Sequence, residues 1–307
     1  GNEIARDLEL DLDKVTDGLN SLITEGLVSC SVSSAGGDRT YELIPGARIA
    51  VGISIRDDGV RLLAIDLRAE ELGCRELSIP FSHTPEYYQT ISRHLEEFLD
   101  EFGLDRERLL GVGIAVPGII DQTEGKMVMA PTLELWDVPL EEIYCHFSRY
   151  PAFIENIPNA SGYAEQWADR GRTNMVYVSV DRGVGGIIIQ GEKQCMGDHG
   201  RGGEFGHMRL VPNGRLCHCG RRGCFEAYCS TSRLSDDLGL TLEEFFVRLR
   251  EGDEAAAAVW EEYRNHLTDA LASLRTCFDC DIVLGGTLSR HLEGLLPELC
   301  WELGEKT

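Results

Sequence analysis

Residues 202–230 read GGEFGHMRLVPNGRLCHCGRRGCFEAYCS, and the rest of the chain is interpreted outward from them. His207, Cys217, Cys219 and Cys224 offer one imidazole and three thiols. Zinc takes four such ligands tetrahedrally, and a set with every position filled by protein is structural rather than catalytic. Gly220 and Gly223 let the short loop double back between the ligands. Arg215, Arg221 and Arg222 stand close by in sequence and are expected to favour ionised thiols. His218 is a competing donor, but its place between two cysteines argues against it. Three cysteines within eight residues, next to a glycine-framed histidine, outweigh a chance cluster. The expected cofactor is therefore zinc.

The surrounding chain is that of an ordinary globular protein. It has 307 residues, 43% hydrophobic and 26% charged, which is long enough for two or three structural units. No apolar run approaches the roughly 20 residues of a membrane span, and no signal peptide opens the sequence. Eleven cysteines, mostly single and among apolar residues, suit a reducing cytoplasm. Cys277 and Cys280 have CxxC spacing without a glycine turn or a second pair, and read as core cysteines. The net charge of −23 disfavours nonspecific nucleic-acid binding.

Residues 1–46 stand apart. Ile4, Ala5 and Leu8 have helical spacing, Glu9-Leu10 marks a turn, and Val15, Leu19, Leu22 and Ile23 form a second helical run with Asp13 as N-cap and Gly26 as stop. VSCSV and RTYEL alternate like two strands, with Ala35-Gly36-Gly37-Asp38 between them as the turn. Helix, turn, helix and hairpin is the order of a winged helix-turn-helix, and residues 4–28 resemble bacterial regulators of that kind. The first helix of such a domain is not in this sequence, so the chain is expected to begin within the domain. Lys14, Thr16, Asn20 and Ser21 would face a DNA groove and Arg39 would sit on the wing. Three basic residues against nine acidic ones give this segment a net charge of −6, which weakens phosphate contact. After Pro45-Gly46, apolar runs flank Asp57-Asp58-Gly59, residues 85–102 are an amphipathic helix, and strands alternate with helices to the end, the mark of an α/β fold.

The 202–230 segment closely resembles the signature of the ROK family, which combines repressors and sugar kinases. The resemblance extends over residues 48–290. GVGIAVPGIID (111–121) resembles the family's strand and turn beside the sugar, ENIPNASGYAE (155–165) its sugar-contact strand and helix, and IVLGG (282–286) its nucleotide-side turn. The resemblance implies a two-lobed actin-like, ribonuclease H-like ATPase fold with a cleft. The expected domains are 1–46, a winged helix-turn-helix; 47–160, the first lobe; and 161–307, the zinc-containing lobe, truncated at its C-terminus. Carried over by position, the sugar contacts are Gly118, Asn156, Glu204, His207 and Glu226. Carboxylates suit sugar hydroxyls, and a metal-bound His207 can present its second ring nitrogen.

The phosphoryl half of such a site is degraded. The family's kinases carry an Asp after the Asn of ENxxN as general base. Here that residue is Ile157, which cannot take a proton. The first phosphate loop, DxGxTK in those kinases, is matched by SIRDDGV (54–60), and the second, GTGxGxG, by DRGVGGI (181–187). The expected protein is therefore not an enzyme but a cytoplasmic, dimeric or tetrameric regulator of the xylose or N-acetylglucosamine repressor type. A sugar or sugar phosphate between the lobes would change their angle and control binding to operator DNA. A sugar kinase and a kinase-dead sensor acting through protein contacts are the alternatives.

Overall fold

The computed structural model describes residues 2–32, 39–169 and 171–307. The helices are α1 Asn2–Asp7, α2 Leu12–Thr24, α3 Pro85–Glu101, α4 Glu141–Tyr144, α5 Ile157–Ala168, α6 Glu226–Cys229, α7 Ser232–Ser235, α8 Leu242–Arg250, α9 Glu254–Phe278 and α10 Leu296–Lys306. The strands are β1 Val28–Val32, β2 Arg39–Leu43, β3 Ile49–Ile55, β4 Val60–Asp66, β5 Glu71–Leu77, β6 Leu109–Val116, β7 Ile119–Asp121, β8 Lys126–Ala130, β9 Leu135–Pro139, β10 Ala152–Asn156, β11 Met175–Val180, β12 Val184–Gln190, β13 Lys193–Gln194 and β14 Asp281–Gly285. The chain divides into two compact units, Gly1–Glu155 and Asn156–Thr307.

The first unit begins with α1, α2 and the antiparallel β1–β2 ribbon, in register from Val28–Leu43 to Val32–Arg39. The expected turn at residues 35–38 lies outside the described residues. Asp11, not Asp13, caps α2. Its backbone is extended and its side-chain Oδ1 accepts the Asp13 N–H at 2.9 Å, so Asp13 falls in the first turn. Gly26 stops the helix as expected, because Leu27 N–H reaches Leu22 O and Gly26 N–H reaches Ile23 O. The core here is small: Ala5, Val15 and Leu19, with Ile4 and Tyr41 against them.

A five-stranded sheet of order β10-β6-β3-β4-β5 forms the body of this unit. β3, β4 and β5 are consecutive antiparallel strands and β6 joins β3 in parallel. Alternation in β3 buries Val51, Ile53 and Ile55. Thr84 caps α3, which lays Tyr87, Tyr88, Ile91, Leu95, Phe98 and Leu99 on the core. Each such side chain contributes about 1.5–3 kcal/mol by burial.

The second unit is built on the sheet β13-β12-β11-β14. β11 is buried at all six residues, with β12 antiparallel on one side and β14 parallel on the other. Val176, Val178 and Val180 share a core with Phe245 and Phe246 of α8 and Leu267 and Leu271 of α9. The opposite face, Met175, Tyr177, Ile187 and Ile189, is a separate cluster. α5 packs against β11 and β12, which is why the division falls after Glu155 and not after residue 160. A Cβ on Gly162 of α5 would collide with the Ile187 and Tyr177 side chains. Gly162→Ala is accordingly expected to destabilise this unit by about 1–3 kcal/mol, seen as a lower midpoint in urea denaturation followed by circular dichroism.

Candidate metal centre and ligand-binding site

His207, Cys217, Cys219 and Cys224 converge, with one ligand atom from each lying within 4.8 Å of the others. His207 ends the 3-10 turn Phe205–His207, which the buried Phe205 anchors in the core. The three cysteines lie on a loop folded on itself. Leu210 and Val211 N–H both reach Gly223 O, and Cys217 N–H reaches Arg221 O. At Gly223, φ is +81° and a Cβ would strike Val211 O, so only glycine lets the loop close here.

The separations suit a shared cation. Cys219 Sγ and Cys224 Sγ are 3.7 Å apart, and Cys217 Sγ and His207 Nδ1 are 3.8 Å apart. Thiolates bound at about 2.3 Å in a tetrahedron stand about 3.8 Å from each other, whereas a disulfide needs about 2.05 Å. Burial pushes the Cys217 thiol up to about 12 and also raises Cys224. Burial acts on Cys219 in the same sense, but the backbone N–H and guanidinium of Arg221 outweigh it and bring that thiol to about 6. The expectation for the arginines holds for Arg221 alone. Arg215 is drawn to Glu262 at 2.9 Å and lies over the Tyr228 ring, and Arg222 bonds Gly214 O at 3.2 Å.

Three of the other proposed contacts lie in the same unit. Glu226 opens α6 beside the metal loop, and its Oε2 accepts the Val184 N–H at 2.9 Å. Its Oε1 faces His218 Nδ1 at 2.6 Å. This pairing is not legible from spacing, since the His218 ring turns to a carboxylate eight residues away. Asn156 caps α5 through the Asn159 N–H at 2.7 Å. Among the described residues no hydrogen-bond donor meets the Glu204 carboxylate. Burial raises its pKa, His207 and Arg201 oppose the shift, and Glu226 adds to it. Gly118, at φ +115° in the turn after β6, belongs to the first unit.

Ile157 is the first residue of α5 and carries no acid. The turn after β11 is tied internally: Asp181 Oδ1 accepts Thr287 N–H at 2.8 Å, its Oδ2 accepts the Ser179 hydroxyl at 3.0 Å, and its carbonyl accepts Thr231 N–H. The earlier turn closes between Arg56 N–H and Gly59 O, with Asp57 and Asp58 exposed. Each turn carries one arginine next to an aspartate, and Arg182 of the later turn faces Asp236 at 3.6 Å. On α2, Lys14, Thr16, Asn20 and Ser21 are all exposed, as is Arg39 on β2. At about 100° per residue, Lys14 and Thr16 fall on nearly opposite flanks. Asp17 lies opposite the buried Val15 and Leu19, at the middle of the exposed face.

A half-buried carboxylate without a donor costs stability that a ligand hydroxyl can return. Because the folded pKa of Glu204 is raised, its penalty grows as pH rises through that pKa and vanishes below the unfolded value. Glu204→Gln is therefore expected to raise the melting temperature at pH 7, by roughly 2–4 °C for a change near 1 kcal/mol. The gain should disappear at pH 4 in paired thermal melts.

The family model described as ROK family matches residues 50–302. The xylose repressor of Bacillus subtilis is 31% identical over 236 residues, which is 75% of this chain and 61% of the repressor. Glucokinase of Thermotoga maritima is 29% identical over 235 residues, 69% of this chain and 74% of the kinase. The crystal structure of a ROK family transcriptional regulator, described as a homologue of the E. coli MLC protein, aligns with a TM-score of 0.82 at 22% identity. It covers 99% of this chain and 83% of that one, and the two share one α/β fold. The chain spans about 60% of the length of the xylose repressors it matches. No helix among the described residues is long and apolar enough to cross a membrane. The chain belongs to the ROK family.

Proposed function

We propose that this chain is a sugar-responsive transcriptional regulator of a reducing cytoplasm that holds a structural zinc ion and does not phosphorylate its ligand. One observation carries the reading: Glu204 and Glu226 remain gathered around the His207–Cys224 cluster while the base position holds Ile157. His207, Cys217, Cys219 and Cys224 hold the zinc. When bound, the ion neutralises the thiolates and pins the loop that ends at Glu226. Glu204, Glu226 and Asn156 then accept and donate to the hydroxyls of a sugar or sugar derivative, with the free ring nitrogen of His207 as a further contact.

The N-terminal helices and ribbon act as a winged helix-turn-helix. Lys14, Thr16, Asn20 and Ser21 meet the groove and Arg39 meets the backbone, in a dimer that presents two such segments to operator DNA. Acidic neighbours keep this contact weak. The net charge of −6 and the central Asp17 favour, as a second reading, a sensor that acts through protein contacts.

The purified protein is expected to contain one zinc per chain by atomic absorption, and Cys224→Ser should lose it with a drop in melting temperature. Calorimetry against D-xylose, D-glucose and N-acetyl-D-glucosamine should detect binding that Glu204→Ala weakens at least about tenfold, the loss of a charged hydrogen bond. ATP consumption with those sugars should stay at background; sugar-dependent turnover abolished by Glu204→Ala would make the protein a kinase. In mobility shifts on promoter fragments, log K should fall with log salt at a slope no steeper than about −3 per chain, since three basic residues are available. No specific shift at any salt would favour the protein-contact reading.

A further inference from the structure

Glu226 is 7% exposed, and its two oxygens are used differently. Oε2 is committed to the backbone of β12 through Val184 N–H. Oε1 is the oxygen left for a ligand; His218 Nδ1 stands on it at 2.6 Å, and the Cys217 thiol reaches it at 3.7 Å. That separation is a hydrogen bond, too short for a cation seated between nitrogen and oxygen. A neutral imidazole protonated at Nδ1 makes it without carrying charge. The His218 side chain is 59% exposed, and its ring also meets the His207 ring edge-on at 5.5 Å between centroids. It also lies between two metal ligands, Cys217 and Cys219, with its Nδ1 3.9 Å from Cys217 Sγ. Glu204, by contrast, meets no donor among the described residues. The two carboxylates are therefore in opposite states: one is open to a hydroxyl, and the other is covered by the protein's own donor.

We propose that His218 is a latch on Glu226: it occupies the oxygen that an incoming hydroxyl needs, so ligand binding displaces it and shifts the loop between Cys217 and Cys219. This rests on the reading of Glu226 as a ligand contact. The latch has two consequences. It lowers ligand affinity by the free energy of the bond that must be broken. It also connects ligand occupancy to the metal loop, because the displaced residue is flanked on both sides by metal ligands.

The test uses the zinc-loaded chain with His218→Ala and His218→Asn, the second restoring a side-chain N–H near the Nδ1 position. Zinc release to the chelator 4-(2-pyridylazo)resorcinol needs no sugar. His218→Ala should release zinc on the order of tenfold faster, as for loss of a group supporting a metal ligand, and His218→Asn should recover the slow rate. In calorimetry, whichever of D-xylose, D-glucose and N-acetyl-D-glucosamine the parent binds should bind His218→Ala about tenfold tighter. Unchanged release, no recovery in His218→Asn, or weaker sugar binding by His218→Ala would overturn the latch. So would a zinc content below one per chain in His218→Ala, which would make His218 a metal ligand. A release pattern as expected, with no sugar bound by any variant, would sink the effector reading while leaving the bond and its hold on the metal loop in place.

Discussion

The hydrogen bond from Val184 N–H to Glu226 Oε2 ties the metal loop to the central sheet of the second unit. Val184 is the first residue of β12, whose partner β11 is buried along its whole length. Glu226 follows directly on Cys224 and Phe225, a ligand and a core residue. One buried carboxylate thus fixes an irregular loop against the most rigid element of the unit. Losing it would leave a buried N–H without its acceptor, which is more costly than the net value of one hydrogen bond. The sugar-contact role proposed for Glu226 depends on that rigidity, because a carboxylate aimed at hydroxyls must be held before the ligand arrives.

The same site holds charge that stability alone would remove. Glu204 is half-buried near a second carboxylate and finds no donor among the described residues, while two thiols of the cluster are kept protonated by burial. The carboxylate is unfavourable there without a donor, whereas the protonated thiols are neutral and sit in the interior as small hydrophobes. The turn after β11 shows the reverse of Glu204: Asp181 accepts from Thr287 N–H and the Ser179 hydroxyl.

The helices and hairpins were readable because each rests on local pattern. Alternation marked β1 and β2, and spacing of apolar residues marked α2 and α3. Helix ends were less legible: Asp11 and Asp13 are both acceptable caps, and the extended backbone at Asp11 decided between them. The four metal ligands could be named because their chemistry and close spacing leave few other uses.

The sequence by itself determined which residue types are offered to a candidate site: three thiols and an imidazole, two acids, and an isoleucine after Asn156. It could do so because valence and proton affinity belong to the side chain. Only the tertiary structure decided which donor each acid meets. His218 turns onto Glu226, Arg221 alone of three arginines reaches a thiol, and Glu204 is left open. Those outcomes depend on the direction of each side chain after the loop folds back at Gly223, and direction is set by packing and not by spacing.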